Sequence, residues 1–428
     1  MNTKQNHRNG RRVSHSRVVV TGLGAVTPMA VGVERSWTAL CEGKSGIRRV
    51  TRFDAAGMRT SIAGEVRSFD ATDFMDVKIA KRYDRFVALA VAAGKMAADD
   101  AGLVGNPPDK RRMGVVIGNC MGGATLLEQA FGRVTNDREG RVSPYFIPGT
   151  IASSAPGLVA IALGTRGPTL AVNSAFASGA DAVGRGLELI RNGTADVVVA
   201  GGSEAPITPM VYHGLSAMKV TSARNGEPEK ASRPFDRERD GFVPAEGAAI
   251  LVLEGMESAL RRGVRIYAEV AGFGASCDAH HITSPDPQAE GAVAAMTNAI
   301  REAGMEAADV DYVNAHGTST PRNDVVETKA IKRVFGARAA TVPVSSSKSV
   351  TGHPIAAAGA LEAIFSILAI RDGIVPPTAN YEARDPECDL DYVPNQAREQ
   401  NVRTVLSNSF GFGGMNTSLV MTRWNEKR

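Results

Sequence analysis

Short runs of β-branched and aliphatic residues alternate along this chain with longer stretches of 3.6-residue period. Residues 17–21 (RVVVT), 113–118 (MGVVIG), 195–202 (ADVVVAGG) and 249–254 (AILVLE) are almost continuously apolar, the pattern of strands covered on both faces. Residues 83–101 (YDRFVALAVAAGKMAADDA) place apolar side chains at helical spacing, with enough alanine for close packing on neighbours. Such alternation predicts an α/β architecture. Near residue 260 the pattern restarts, and 265–274 (RIYAEVAGFG) echoes 17–24 (RVVVTGLG), each reading as a strand that runs into a Gly-x-Gly turn. The echo predicts two similar halves, 17–260 and 261–428, after a basic tail at 1–16, with no Gly/Ser/Pro-rich linker between them. Residues 224–241 (RNGEPEKASRPFDRERDG) form the most polar internal segment and read as a surface loop. At Gly22-Leu-Gly24 the third glycine of a dinucleotide fingerprint is missing, since position 27 is Thr, so a structural turn is the better reading.

Composition narrows the class. A chain of 428 residues, 43% hydrophobic and 22% charged, can bury large cores without disulfides or metals. Cys41, Cys120, Cys277 and Cys388 are scattered with no C-x-x-C pairing, which supports neither a zinc site nor a disulfide framework and fits a reducing cytoplasm. No apolar run is long enough to span a membrane, and the first sixteen residues lack the apolar core of a secretory signal. The net charge of +4 belongs to Lys4, Arg8, Arg11 and Arg12; the rest of the chain carries 45 basic and 45 acidic residues. With 5% aromatics and mixed charge, the body lacks the basic, aromatic-studded face of a nucleic-acid binder.

Candidate chemistry begins at 170–179 (LAVNSAFASG), where an apolar strand runs through small residues into a helix whose apolar positions Ala180, Val183, Leu187 and Ile190 keep a 3, 4, 3 spacing. That helix ends at Asn192-Gly193. A strand, a tight turn and a helix N-terminus expose one side chain to free N–H groups and the positive end of the dipole, the place for a thiolate or an oxyanion. Here the apex residue is Phe176, which has no nucleophilic atom. Residues 313–324 (VNAHGTSTPRND) and 345–359 (SSSKSVTGHPIAAAG) each follow a β-rich run and set one histidine, His316 or His353, beside glycine. Lys348 precedes His353 by five residues. Residues 406–416 (LSNSFGFGGMN) pack four glycines and two phenylalanines together and read as a loop lying against a ligand.

With these segments in hand, the sequence resembles the elongating, synthase II type of β-ketoacyl-acyl carrier protein synthase from Arg17 to Thr422. VVVTGLGAVTP, DVVVAGGSEAPITP, SRPFDRERDGFVPAEGAA, VNAHGTSTPRND, SKSVTGHPIAAAGALE and NSFGFGGMN stand in that family's order and spacing. The resemblance implies the thiolase fold, two duplicated halves layered αβαβα, and a homodimer without metal or cofactor. It also implies a partner, acyl carrier protein with acyl or malonyl cargo, whose acidity calls for a basic dock. Lys78, Lys81, Arg82, Arg141 and Lys219 sit at or near the family's docking positions, and Lys78, Lys81 and Arg82 are expected to share one helix face.

Carried over motif by motif, the family's nucleophilic cysteine falls at Phe176 and its catalytic histidines at His316 and His353. The family lysine falls at Lys348, with Asp324, Glu327 and Glu362 as its expected partners. The backbone N–H groups of Phe176 and Phe412 would form the oxyanion hole. Thr318 and Thr320 match positions that hold the pantetheine arm, Met121 the wall of the acyl pocket and Phe412 the gate to it, with Phe410 as a further substrate-binding residue. Without the thiol there is no acyl-enzyme. Cys120, beside Met121, and Cys277, in a separate loop, are not expected to replace it. The chain then reads as a synthase of fatty acid biosynthesis whose nucleophile has been exchanged and whose condensation is silent, as a natural malonyl decarboxylase, or as a non-catalytic partner of the chain-length-factor kind. The Phe176 ring is expected to fill part of the acyl channel and to press on the Phe412 loop.

Overall fold

The computed structural model describes residues 16–105, 107–136 and 140–425. Apart from Ser16, the basic tail lies outside the described residues. Ten strands build the central sheet: β1 (Val18–Val26), β2 (Met113–Gly118), β3 (Thr169–Val172), β4 (Val197–Glu204), β5 (Gly247–Gly255), β6 (Ala268–Cys277), β7 (Tyr312–Asn314), β8 (Val344–Ser345), β9 (Thr404–Gly411) and β10 (Met415–Thr422). Their spatial order is β8-β7-β9-β10-β6-β1-β5-β4-β2-β3. Reading outward from the central β6–β1 pair, each side runs antiparallel, antiparallel, parallel, parallel. The two sides are joined by only Val19↔Glu269 and Val20↔Ala268. The polar-free runs predicted as strands are all strands, with ends shifted by a few residues, and β1, β2, β4 and β5 are buried along their whole lengths, as strands covered on both faces must be.

Helices complete five layers. α1 (Arg85–Asp100), capped by the Asp84 carboxylate on Phe86 N–H, covers β1, β4 and β5 from outside, and α3 (Glu290–Glu302) covers β6 and β10 in the equivalent place. Between the two half-sheets lie α2 (Ser178–Arg191) and α5 (Ala358–Asp372), packed on each other and on strands of both sides. The α5 sequence is apolar all round and buried along nearly its whole length, as a helix walled on every side requires.

The Gly-x-Gly pairs are not turns. Gly22 and Gly24 lie inside β1, where a Cβ would stand 2.2 Å from the Ala97 carbonyl oxygen and 2.0 Å from that of Ala93. On β6, Gly272 and Gly274 meet the carbonyls of Ala299 and Ala295 at 2.1 Å in the same way. The echo in the sequence therefore records close approach of a helix to a strand, made twice. Gly24→Val should lower the stability of the protein by about 3 kcal/mol or more, because the backbone of α1 cannot move aside; the midpoint of urea unfolding checks this.

Each central helix begins at a strained turn. Ala175–Ala177 precedes α2 and Ile355–Ala357 precedes α5, both 3₁₀, and Ala175 and Ile355 hold φ of +50° and +44°. Immediately inside the helices, Gly179 faces the Ala356 carbonyl and Gly359 faces Ala180, at separations that admit no Cβ.

Only part of the segment 224–241 is a surface loop: residues 226, 227, 229, 230, 237 and 238 are exposed. Residues 231–236 are buried, because their charges find partners: Arg233 pairs with Asp236 at 2.9 Å, Arg239 pairs with Asp385 at 2.6 Å, and Asp236 accepts the N–H groups of Glu382 and Ala383. No helix among the described residues is long and apolar enough to cross a membrane.

Candidate active site

Phe176 sits at the turn before α2, where the sequence places the apex. Its ring is 6% exposed and packs with Leu215, Phe242 and Ile355. It stands edge-on to His353, with centroids 4.9 Å apart, and tilted against Phe412 at 4.5 Å. Strand ends bring the remaining groups to it: β7 delivers His316, and the chain after β8 delivers Lys348 and His353. The two imidazoles face each other at 5.4 Å, and Phe410, at the end of β9, lies 5.7 Å from His316.

Both histidines are almost fully buried, and both are held well below the ordinary imidazole range, first by burial and then by the Lys348 charge. They are therefore neutral. The Lys348 ammonium lies 3.3 Å from His316 Nδ1 and is paired with Glu362. Having only protons to offer, it makes Nδ1 the acceptor, so His316 carries its own proton on Nε2. Neither ring nitrogen of His353 has a hydrogen-bond partner among the described residues. A buried imidazole left open is costly, and such groups are commonly reserved for a ligand.

The three carboxylates expected around Lys348 divide their work. Only Glu362 pairs with it. Glu327 accepts the backbone N–H groups of His316 and Gly317 at 2.8 Å and a bond from Asn408, so it fixes the histidine's main chain. Asp324, at the start of α4 (Pro321–Phe335), accepts the N–H groups of Thr318 and Phe235 and faces Arg239 at 3.7 Å. Sequence spacing could not separate these roles, because Glu327 and Asp324 turn to the main chain at His316–Thr318 while Glu362 reaches Lys348 from a distant helix.

A cavity of about 420 Å³ opens onto this cluster. Phe176, His316, His353, Thr318, Thr320, Phe410, Phe412 and Lys219 line it; Met121 does not. The N–H groups of Cys120 and Met121 reach the buried Glu204 carboxylate, whose pKa burial raises to about 8, and Cys120 packs with the Phe176 cluster. Cys120 is no hidden nucleophile, since burial and then Glu204 push its thiol up to about 12. Cys277 ends β6 rather than sitting in a loop, and is exposed. Residues 406–416 also differ from the loop expected: Leu406–Gly411 belongs to β9 and Met415 begins β10, so only Phe412–Gly414 turns, with positive φ at Gly413 and Gly414. The expected docking residues are exposed, but Lys78, Lys81 and Arg82 share no helix face: the helix there is Val77–Ala80, and Arg82 stacks on Tyr145 at 4.2 Å. Arg141 is exposed as well. Phe242, which packs on both Phe176 and His353, went unassigned in the sequence although it lies in the quoted RDGFVP stretch.

Residues 15–259 match the family model for the beta-ketoacyl synthase N-terminal domain, and residues 267–382 match that for the C-terminal domain. The chain belongs to the beta-ketoacyl synthase family. Among curated relatives it is 48% identical over 407 residues to the 3-oxoacyl-[acyl-carrier-protein] synthase 2 of Coxiella burnetii, covering 95% of this chain and 98% of that one. The Synechocystis protein of the same name is 48% identical over 408 residues, covering 95% and 98%. Among solved structures, a beta-ketoacyl synthase from Burkholderia phymatum superposes with a TM-score of 0.89 at 36% identity, covering 96% of this chain and all of that one. The ishigamide ketosynthase/chain length factor gives 0.90 at 36%, with the same coverage. The five layers described above are those of the thiolase-fold ketosynthases.

Proposed function

We propose that this beta-ketoacyl synthase is condensation-silent and keeps the apparatus that decarboxylates a malonyl thioester carried by acyl carrier protein. One observation carries the reading: the ring of Phe176 fills the nucleophile's place against His353, and no thiol lines the cavity. Acyl transfer to the enzyme needs a nucleophilic atom at that turn. Loss of CO2 does not. The C–C bond to the carboxyl group breaks, its electron pair moves toward the thioester oxygen, and a proton from solvent then reaches the methylene carbon to leave an acetyl thioester. His316 Nε2–H and a proton on His353 are the donors that would hold the developing enolate oxygen, joined by the backbone N–H groups of Phe176 and Phe412 as an oxyanion hole. Thr318 and Thr320, their hydroxyls 2.8 Å apart, would contact the pantetheine arm.

The carrier protein would dock on Lys78, Lys81, Arg82, Arg141 and Lys219, and Met121 would wall an acyl channel that the Phe176 ring closes. A homodimer is supported by the open edge strand β3, on which Leu170 is 45% exposed, and by the exposed apolar side chains of Leu127 and Phe131. A fatty acid pathway is supported by the relatives' names, and four free cysteines suit a cytoplasmic setting.

The test is CO2 release from malonyl-carrier protein by the protein as it stands. His316→Ala is expected to lower that rate roughly 10²- to 10³-fold. Because both imidazoles stay neutral through the ordinary histidine midpoint of 6.5, histidine protonation should cause no fall in rate between about pH 8 and that point, and a fall centred near 7 would report protonation of Glu362, which burial raises to about 7. No CO2 release above background, together with a stable complex with a cysteine-bearing homologue, would replace this reading by the partner-subunit one.

A further inference from the structure

A second groove, of about 540 Å³, shares no lining residue with the catalytic cavity. It lies before β3, whereas the turn that carries Phe176 lies after it, so the two occupy opposite ends of one strand. Two backbone hydrogen bonds build its base: the Arg166 N–H donates to the Lys110 carbonyl at 2.7 Å, and the Gly167 N–H to that of Met113 at 2.9 Å. The side chains of Lys110 and Arg166 therefore leave from adjoining main chains. Gly164 ends the helix Ser154–Leu163 in the left-handed region, at φ +68°, and a Cβ there would stand 2.9 Å from Lys110 Nζ. The glycine gives both the turn and the room for the ammonium. Lys110 and Arg166 are exposed, and neither has a side-chain hydrogen bond or ion pair among the described residues. The groove's one carboxylate, Asp109, is spent on the guanidinium and main-chain N–H of Arg111, each at 3.0 Å. The negative end of the helix offsets about half of one remaining charge. Thr165 adds a hydroxyl that finds no hydrogen-bond partner although the residue is only 8% exposed, and the last turns of the helix add Ala160 and Ile161, the isoleucine 73% exposed.

We infer that this groove is a binding site for an amphiphilic anion, a carboxylate or phosphate head on an alkyl chain, held at the head by Lys110 and Arg166 and along the chain by Ile161 and Ala160. The site is independent of the decarboxylase reading. The planar fork of Arg166 matches the oxygen spacing of such a head, and the ammonium adds a point charge beside it. A bare anion would leave the isoleucine in water, and a neutral lipid would leave two cations unpaired. One molecule with both features removes the apolar surface from water and neutralises the charges together.

Calorimetry on the full chain with decanoate, kept below its micelle concentration, tests the assignment. Decanoate should bind once per chain, and its affinity should fall as salt is raised. Lys110→Ala and Arg166→Ala should each weaken it about tenfold, the scale of one charge-assisted hydrogen bond. Ile161→Ser should weaken it several-fold, and decyl maltoside, with the same tail and no charge, should not bind. All three side chains are exposed, so the midpoint of urea unfolding should stay where it is in each variant. Decanoate binding that survives both cation substitutions would place the ligand in the catalytic cavity and overturn the inference. Equal binding of decyl maltoside, or no binding of decanoate to the unsubstituted protein, would overturn it as well. Loss of carrier-protein affinity in the two cation variants, with decanoate never bound, would assign Lys110 and Arg166 to protein docking instead.

Discussion

Phe176→Cys should switch on covalent acylation and raise condensation by about 10⁴-fold or more above background, the scale on which removing a nucleophile acts in other enzymes. On the proposed reading, the groups that would serve the step already surround that position. The turn at Ala175–Ala177 and the N-terminus of α2 favour a thiolate, and the neutral His353 imidazole stands where it can receive the thiol proton. Intact-mass detection of an acyl adduct on the protein reads the first half of the reaction, and elongation of acyl-carrier protein by malonyl-carrier protein reads the second. The gain should come with a loss of stability of about 3 kcal/mol, because a buried ring packed on Phe242, Phe412 and His353 is replaced by a small side chain. A folded Phe176→Cys protein that takes no acyl group would sink the proposal that Phe176 alone silences condensation. Activity appearing only beside a second subunit would point to the partner-subunit reading.

The second large effect concerns the buried pair behind His316. Lys348 and Glu362 are each about 1% exposed, so neither charge has water to fall back on. Glu362→Ala leaves the ammonium uncompensated and should destabilise the protein by about 3–5 kcal/mol, measured by denaturant unfolding. It should also cost activity beyond the stability loss, since a Lys348 no longer held by Glu362 no longer fixes the tautomer of His316. The double substitution Glu362→Leu with Lys348→Met should recover most of the stability and none of the CO2 release. Recovery of both would show the pair to be merely structural.

Much of the architecture was legible because burial on both faces leaves an unbroken apolar run, and β1, β2, β4 and β5 all carry one. The glycine pairs were misread for a physical reason. A glycine needed for a turn and a glycine needed for contact look alike until the contacting backbone is known, and for Gly24 that backbone is at Ala93, far along the chain. The segment 224–241 looked solvated because its ionic partners, Glu382 and Asp385, lie well over a hundred residues away. At the site, the two histidines and the lysine stood out through glycine-flanked motifs at strand ends. The division of labour among Asp324, Glu327 and Glu362 did not, being set by a few ångströms of side-chain direction. Nor did the absence of Met121 from the cavity wall, because adjacency in sequence to Cys120 does not say which side chains reach the cavity.

The contact between α2 and α5 at Gly179 and Gly359 has a consequence for mechanical tolerance. A Cβ on Gly179 would stand 2.5 Å from the Ala356 carbonyl oxygen, and one on Gly359 would stand 2.8 Å from the Ala180 nitrogen. Backbones meeting this closely, with only the rigid Ala180 Cβ and the Ser409 hydroxyl at the Gly359 side, cannot slide without collision, whereas long interleaved side chains could yield by changing rotamer. The turn that carries Phe176 is thereby gauged against the turn that follows His353, each acting as an end-stop for the other. The spacing between the reactive position and its imidazole is set by a contact that cannot yield, and loops and side chains around the cavity can vary without disturbing it.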